Sequence, residues 1–101
     1  MATLHIEHPI SDFAVWSAAF ARFADAREQA GVRSQRISRP VDDDRYVIID
    51  LEFVGTAQAE RFRDYLRTRV WSSPESSPAL SGEPRTLVFE AFDPSRGSAE
   101  G

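Results

Sequence analysis

The chain has 101 residues, 42% of them hydrophobic and 28% charged, with a formal net charge of -4 and no cysteine. That length suits one domain around one core, and the acidic balance argues against a duplex nucleic-acid binder. The missing thiols exclude disulfides, thiolate catalysis and cysteine-based zinc sites, and no apolar run approaches the roughly 20 residues of a membrane span. The first residues lack the basic start and apolar core of a signal peptide, so a cytoplasmic protein is expected.

Residues 3–7 alternate, Leu4 and Ile6 against Thr3, His5 and Glu7, and predict a first strand that Pro9 ends. Ser11 is the expected N-cap of a helix over residues 12–30, with Ile10 and Val15 spaced for a hydrophobic staple. Its stripe is Phe13, Trp16, Phe20 and Phe23, and Gly31 supplies the left-handed stop. A weaker edge strand over 32–39 leads through a four-residue loop, 41–44, into the clearest strand of the chain, 45–53. There Val47, Ile49, Leu51 and Phe53 alternate with Tyr46, Ile48, Asp50 and Glu52. Gly55 and Thr56 introduce a second helix over 57–70, apolar at Ala59, Phe62, Leu66 and Val70 and flanked by Arg61, Arg63, Arg67 and Arg69. Such arginines normally form a solvated face, their stems lying over the core edge. Residues 72–82 read as a surface loop pinned by Trp71 and Leu80, and 85–92 as the last strand. Residues 1–93 make the domain, and 94–101 form a small, polar, flexible tail.

Two strand–helix–strand halves joined by a hairpin predict an α+β, ferredoxin-like βαββαβ sandwich. Its four-stranded antiparallel sheet takes the order 4-1-3-2, with two helices on one face. Tyr46, Ile48, Val88 and Phe92 are then expected on the uncovered face, where an apolar patch calls for a second copy of the chain. A four-residue hairpin loop pairs Arg33 with Glu52 and Gln35 with Asp50 and leaves Arg36 on the helical side.

Several short patterns carry a resemblance. The helix start Asp12-Phe13-Ala-Val-Trp16, the Arg-x-x-x-Gly from Arg27 to Gly31, the acidic hairpin before Arg45 and Ala59-x-x-Phe62 resemble the dimeric α/β-barrel superfamily. Within it, the antibiotic-biosynthesis-monooxygenase-like branch fits over residues 3–92. The resemblance implies a homodimer pairing two sheets into a barrel and a small organic ligand between sheet and helices. The activity it implies is a cofactor-independent monooxygenase or cyclase. The polar catalytic set of the cofactor-free monooxygenases has no residue-by-residue match here. No histidine stands on the later helix, where a haem-binding relative would carry its axial ligand. No cofactor is assigned.

Two constellations compete as the site. His5, Glu7, Asp50, Glu52 and Glu90 fall by parity on the uncovered face; His5, Asp50 and Glu52 are the candidate catalytic residues, with the histidine as an oriented base. The same groups suit a hard-metal site or a polar face neutralised across strands or at a dimer interface, and no metal is assigned. The second constellation, Trp16, Phe20, Tyr65 and Trp71 with Arg36 at the margin, suits a pocket for a planar organic ligand. Its plain alternative is ordinary core, with Arg36 reaching past the sheet edge. The cleft is the favoured ligand site, because the 72–82 loop gives it one movable wall. The leading function is a homodimeric binder of a small organic molecule, enzymatic or not; the alternative is a non-catalytic ligand-sensing or structural dimerisation module. Neither nucleic acid nor membrane is expected as a partner.

Overall fold

A computed structural model describes residues 1–91. Four strands, β1 (Ala2–Pro9), β2 (Ser34–Ser38), β3 (Tyr46–Phe53) and β4 (Arg85–Glu90), form one antiparallel sheet in the order β2-β3-β1-β4. This is the expected order read from the other edge. Helices α1 (Phe13–Arg22), α2 (Ala24–Ala30) and α3 (Thr56–Tyr65) carry the rest, and α3 continues into a π-helical turn, Leu66–Val70. Phe92 and the tail over 94–101 lie outside the described residues.

The two central strands obey their alternation. Leu4 and Ile6 of β1 and Val47, Ile49, Leu51 and Phe53 of β3 are buried, joined by Trp16, Ala59, Phe62, Leu66 and Val70 from the helical layer. β1 runs past its expected end. Pro9 pairs with Tyr46, and its carbonyl turns toward the β4 side to accept the Ser81 amide at 3.2 Å. The β4 ladder has stopped by then, at Glu7 and Arg85, so the missing proline N–H interrupts no pairing.

Four expectations are corrected. The helix over 12–30 breaks at Phe23, whose φ of -99° and ψ of 17° leave the helical region. Asp12, not Ser11, is the N-cap, its carboxylate accepting the Val15 amide at 2.9 Å, and Val15 stays 45% exposed, away from any staple. The hairpin loop is odd, so Ser34 faces Glu52 and Arg36 faces Asp50; Arg36, not Arg33, shares the uncovered face with the carboxylates. In β4, Val88 pairs with Leu4 and packs toward the core, whereas Leu87 pairs with His5 and Phe89 with Thr3 on the uncovered face. Glu90 follows Val88 to the helical side, opposite Ala2, and leaves the predicted acidic cluster. Gly31 holds as expected, with a φ of 97° closing α2.

Candidate functional site

A partly open cavity of about 70 Å³ lies between the helical layer and the sheet. Ile6 and His8 of β1 and Ile49 and Leu51 of β3 form its floor. Trp16, Ala19 and Phe20 of α1, Phe23 at the break and Arg27 of α2 form one wall; Phe62, Leu66, Val70 and Trp71 form the other. Ser76–Leu80 closes the top. That segment is fastened at its far end, where Leu80 bridges to Ile10 and Ser11 N–H donates to the Ala79 carbonyl at 2.9 Å. Its near end is held by the Ser77 hydroxyl, which donates to the Val70 carbonyl at 3.0 Å.

The aromatic wall is ordered. Trp16 stacks on Phe20 with centroids 4.9 Å apart, and the Arg27 guanidinium lies over the other end of the stack, 3.7 Å from the Phe20 centroid. Arg27 is only 7% exposed. Its Nη1 donates to the Phe20 carbonyl at 2.7 Å and its Nε to the Gln35 side chain at 3.0 Å. The break at Phe23 makes the first bond possible: the Phe23 amide takes a short i-3 bond to Phe20, and Arg27, one turn on, reaches back to the same carbonyl. Burial pulls the guanidinium below its ordinary value.

His8 is 3% exposed and belongs to the same cavity. Its Nδ1 lies 3.0 Å from the Pro9 carbonyl, which can only accept, so Nδ1 carries the proton and Nε2 keeps its lone pair. Burial lowers this imidazole's pKa, and the Pro9 bond offsets only part of that. His8 therefore presents a neutral acceptor to an apolar chamber.

The π-turn builds the opposite wall. Trp71 N–H donates to the Leu66 carbonyl at 2.7 Å, an i to i+5 bond that stacks Trp71 over Leu66. In a continued α-helix, at about 100° per residue, Trp71 would stand about 140° away from Leu66, facing out of the cavity.

Of the predicted ligand residues, Trp16, Phe20 and Trp71 line the cavity. Tyr65 stacks on Phe62 at 5.7 Å, behind the lining, and Arg36 lies on the other face of the sheet. His8 and Arg27 were missed, although both carried a signal. His8 shares the even parity of Leu4 and Ile6, and Arg27 falls seven residues after Phe20 on the same helical stripe.

The uncovered face gathers the other constellation. His5 lies 2.7 Å from Asp50 through Nδ1 and 2.8 Å from Glu7 through Nε2, and Tyr46 donates to Glu7 at 2.7 Å. Burial lowers the His5 pKa, but the bonds and charges of Glu7 and Asp50 outweigh it and leave it raised. Glu7 is lowered by its bonds to His5 and then Tyr46. An imidazolium donating through both nitrogens has no lone pair for base chemistry. Glu52 is held by the Ser34 hydroxyl, without a bond to His5. Arg36 takes the place expected for Arg33, and with Arg85 present and Glu90 absent this face is nearer charge balance than the sequence suggested. No cluster of three metal-ligating side chains occurs among the described residues.

No protein-family model and no curated protein matches the chain. Solved structures do match. SnoaB, a cofactor-independent oxygenase from Streptomyces nogalater, is 19% identical with a TM-score of 0.68, covering 91% of this chain and 93% of its own. An antibiotic biosynthesis monooxygenase is 10% identical at 0.64, covering 92% and 100%. A dimeric ferredoxin-like protein from an uncultured marine organism is 12% identical at 0.61, covering 91% and 97%. The chain thus has the fold of the antibiotic-biosynthesis-monooxygenase-like ferredoxin-fold proteins. No helix among the described residues is long and apolar enough to cross a membrane.

Proposed function

We propose that the protein is a homodimeric small-molecule-binding domain that seats a planar organic metabolite between helices and sheet and acts on it as a cofactor-independent oxygenase. One observation carries the ligand site: an aromatic-walled cavity into which, among the described residues, only two ionisable groups, His8 and Arg27, are built. Apolar walls with a few placed polar groups are what a small-molecule pocket needs. The oxygenase reading draws on the likeness to SnoaB.

The dimer reading rests on the sheet. β4 turns Leu87 and Phe89 outward, 50% and 47% exposed, and β3 turns Tyr46 and Ile48 to the same face, with Thr3, His5 and Glu7 of β1 between them. Exposed apolar groups on the bare side of a two-layer domain suit a second sheet. The His5, Glu7 and Asp50 cluster then becomes part of the seam, an ion-paired group rather than the reaction centre.

Native mass spectrometry of the purified protein tests the site, with a co-purifying organic adduct as the expected result. Trp71→Ala should lower adduct occupancy and His5→Ala should leave it unchanged. Loss with His5→Ala alone would move the site to the sheet face and restore His5, Asp50 and Glu52 as the chemistry. Oxygen uptake without added metal or flavin, on the released adduct, tests the reaction.

A further inference from the structure

Arg27 presents an electrostatic problem that the chain itself leaves open. Its side chain is nine-tenths buried, yet both of its hydrogen bonds go to neutral oxygens. No carboxylate among the described residues forms an ion pair with it; Glu28, in the shallow cleft on its outer side, does not. Its Nη2 has no partner among the described residues. Arg63 Nε is the one sealed side-chain polar atom without a partner among the described residues, so the Arg27 Nη2 is open toward solvent. An anion seated in the cavity would give this cation the charged partner that the described residues do not supply. His8 adds a second polar group. With Nδ1 committed to Pro9, its Nε2 has no donor among the described residues and is free to accept an O–H or N–H from water or a ligand.

We propose that the cavity is specific for a planar aromatic monoanion carrying a hydroxyl group: an aromatic hydroxy acid whose carboxylate pairs with Arg27 and whose hydroxyl donates to His8 Nε2. The ring lies among Trp16, Phe20 and Trp71, where stacking sets its plane. This rests on the reading of the cavity as the ligand site, and it adds charge and polarity to what that reading leaves general. Arg27 acts as the anchor through a charge-assisted bond, and His8 as a selector that leaves an unmatched acceptor when the hydroxyl is missing.

Three one-ring probes test it by calorimetry and by tryptophan fluorescence: 4-hydroxybenzoate, its neutral isostere 4-hydroxybenzamide, and benzoate. The carboxylate is expected to bind at least about tenfold tighter than the amide, since hydrogen bonds to charged groups contribute about 1.5–3 kcal/mol. Benzoate should bind several-fold more weakly than 4-hydroxybenzoate. Arg27→Gln should abolish the preference for the carboxylate, and Arg27→Lys should keep part of it. His8→Leu should abolish the preference for the hydroxyl. The three-probe comparison on the unaltered protein decides the matter even where a variant misfolds. Equal affinity for carboxylate and amide overturns the anionic assignment while leaving the cavity a ligand site. No binding by any probe, together with no co-purifying adduct, overturns both.

Discussion

Truncating Phe89 tests the dimer without disturbing the monomer's core. Phe89 lies on the uncovered sheet face with 47% of its surface exposed, opposite Thr3. On an aromatic side chain of about 200 Å², that is about 95 Å² left for a partner to cover. At about 25 cal/mol per Å², covering it contributes about 2.4 kcal/mol per copy and about 4.7 kcal/mol for the two copies of a symmetric dimer. Phe89→Ala should therefore weaken the dimer by up to about three decades in Kd. Sedimentation velocity across a concentration series reads this directly, with circular dichroism confirming that the monomer stays folded. A dimer of unchanged affinity would show that the sheets do not meet there. An unaltered protein that remains monomeric at tens of micromolar would refute the sheet-to-sheet assembly altogether.

Trp71→Ala should weaken 4-hydroxybenzoate binding about tenfold with little change in thermal stability, because Trp71 is only partly buried and forms a wall of the cavity. Gly31→Ala should cost about 1–2 kcal/mol in denaturant titration, since φ is 97° and a Cβ would meet Gln58 Nε2 at 3.1 Å. The two histidines should give opposite pH dependences. His8, lowered by burial, makes the fold lose stability as pH falls below 6.5, the ordinary histidine value, and His8→Gln should flatten that acid limb. His5, raised by its carboxylates, stabilises fully below 6.5 and loses that contribution as pH rises through its folded value, so His5→Gln should cost stability chiefly on the acid side. Thermal unfolding followed across pH checks both.

The central strands were legible because each has one face that must be buried: Leu4 with Ile6, and Val47 through Phe53, admit only one orientation. The edge strands were not. β4 offers two apolar sets, Val88 or Leu87 with Phe89, and alternation alone cannot say which meets the core. β2 depends on its hairpin loop, and Val41-Asp42-Asp43-Asp44 contains no glycine to fix the turn type. One residue of slip carried Arg36 through the sheet. His8 was passed over because the strand was expected to finish at Glu7, ahead of Pro9. The π-turn has no proline or glycine to mark it, so only the tertiary structure reveals it.

The site comes from departures from regular helix on both sides of the cavity. A straight helix from Phe13 to Ala30 would keep the Phe20 carbonyl for the amide four residues on. The break at Phe23 gives that oxygen to the Arg27 guanidinium, and the guanidinium is thereby held flat on the ring that lines the cavity. Across the chamber, the π-turn brings Trp71 over Leu66, and side-chain hydroxyls flank it, Thr68 donating to the Asp64 carbonyl and Ser72 to the Thr68 carbonyl, each at 2.8 Å. Both departures also carry packing: Phe23 and Trp71 are partly buried against the core, and Leu66 and Val70 of the π-turn belong to it. The same two irregular turns thus serve the core and bring a cation and an indole to one chamber, which two regular helices would not do.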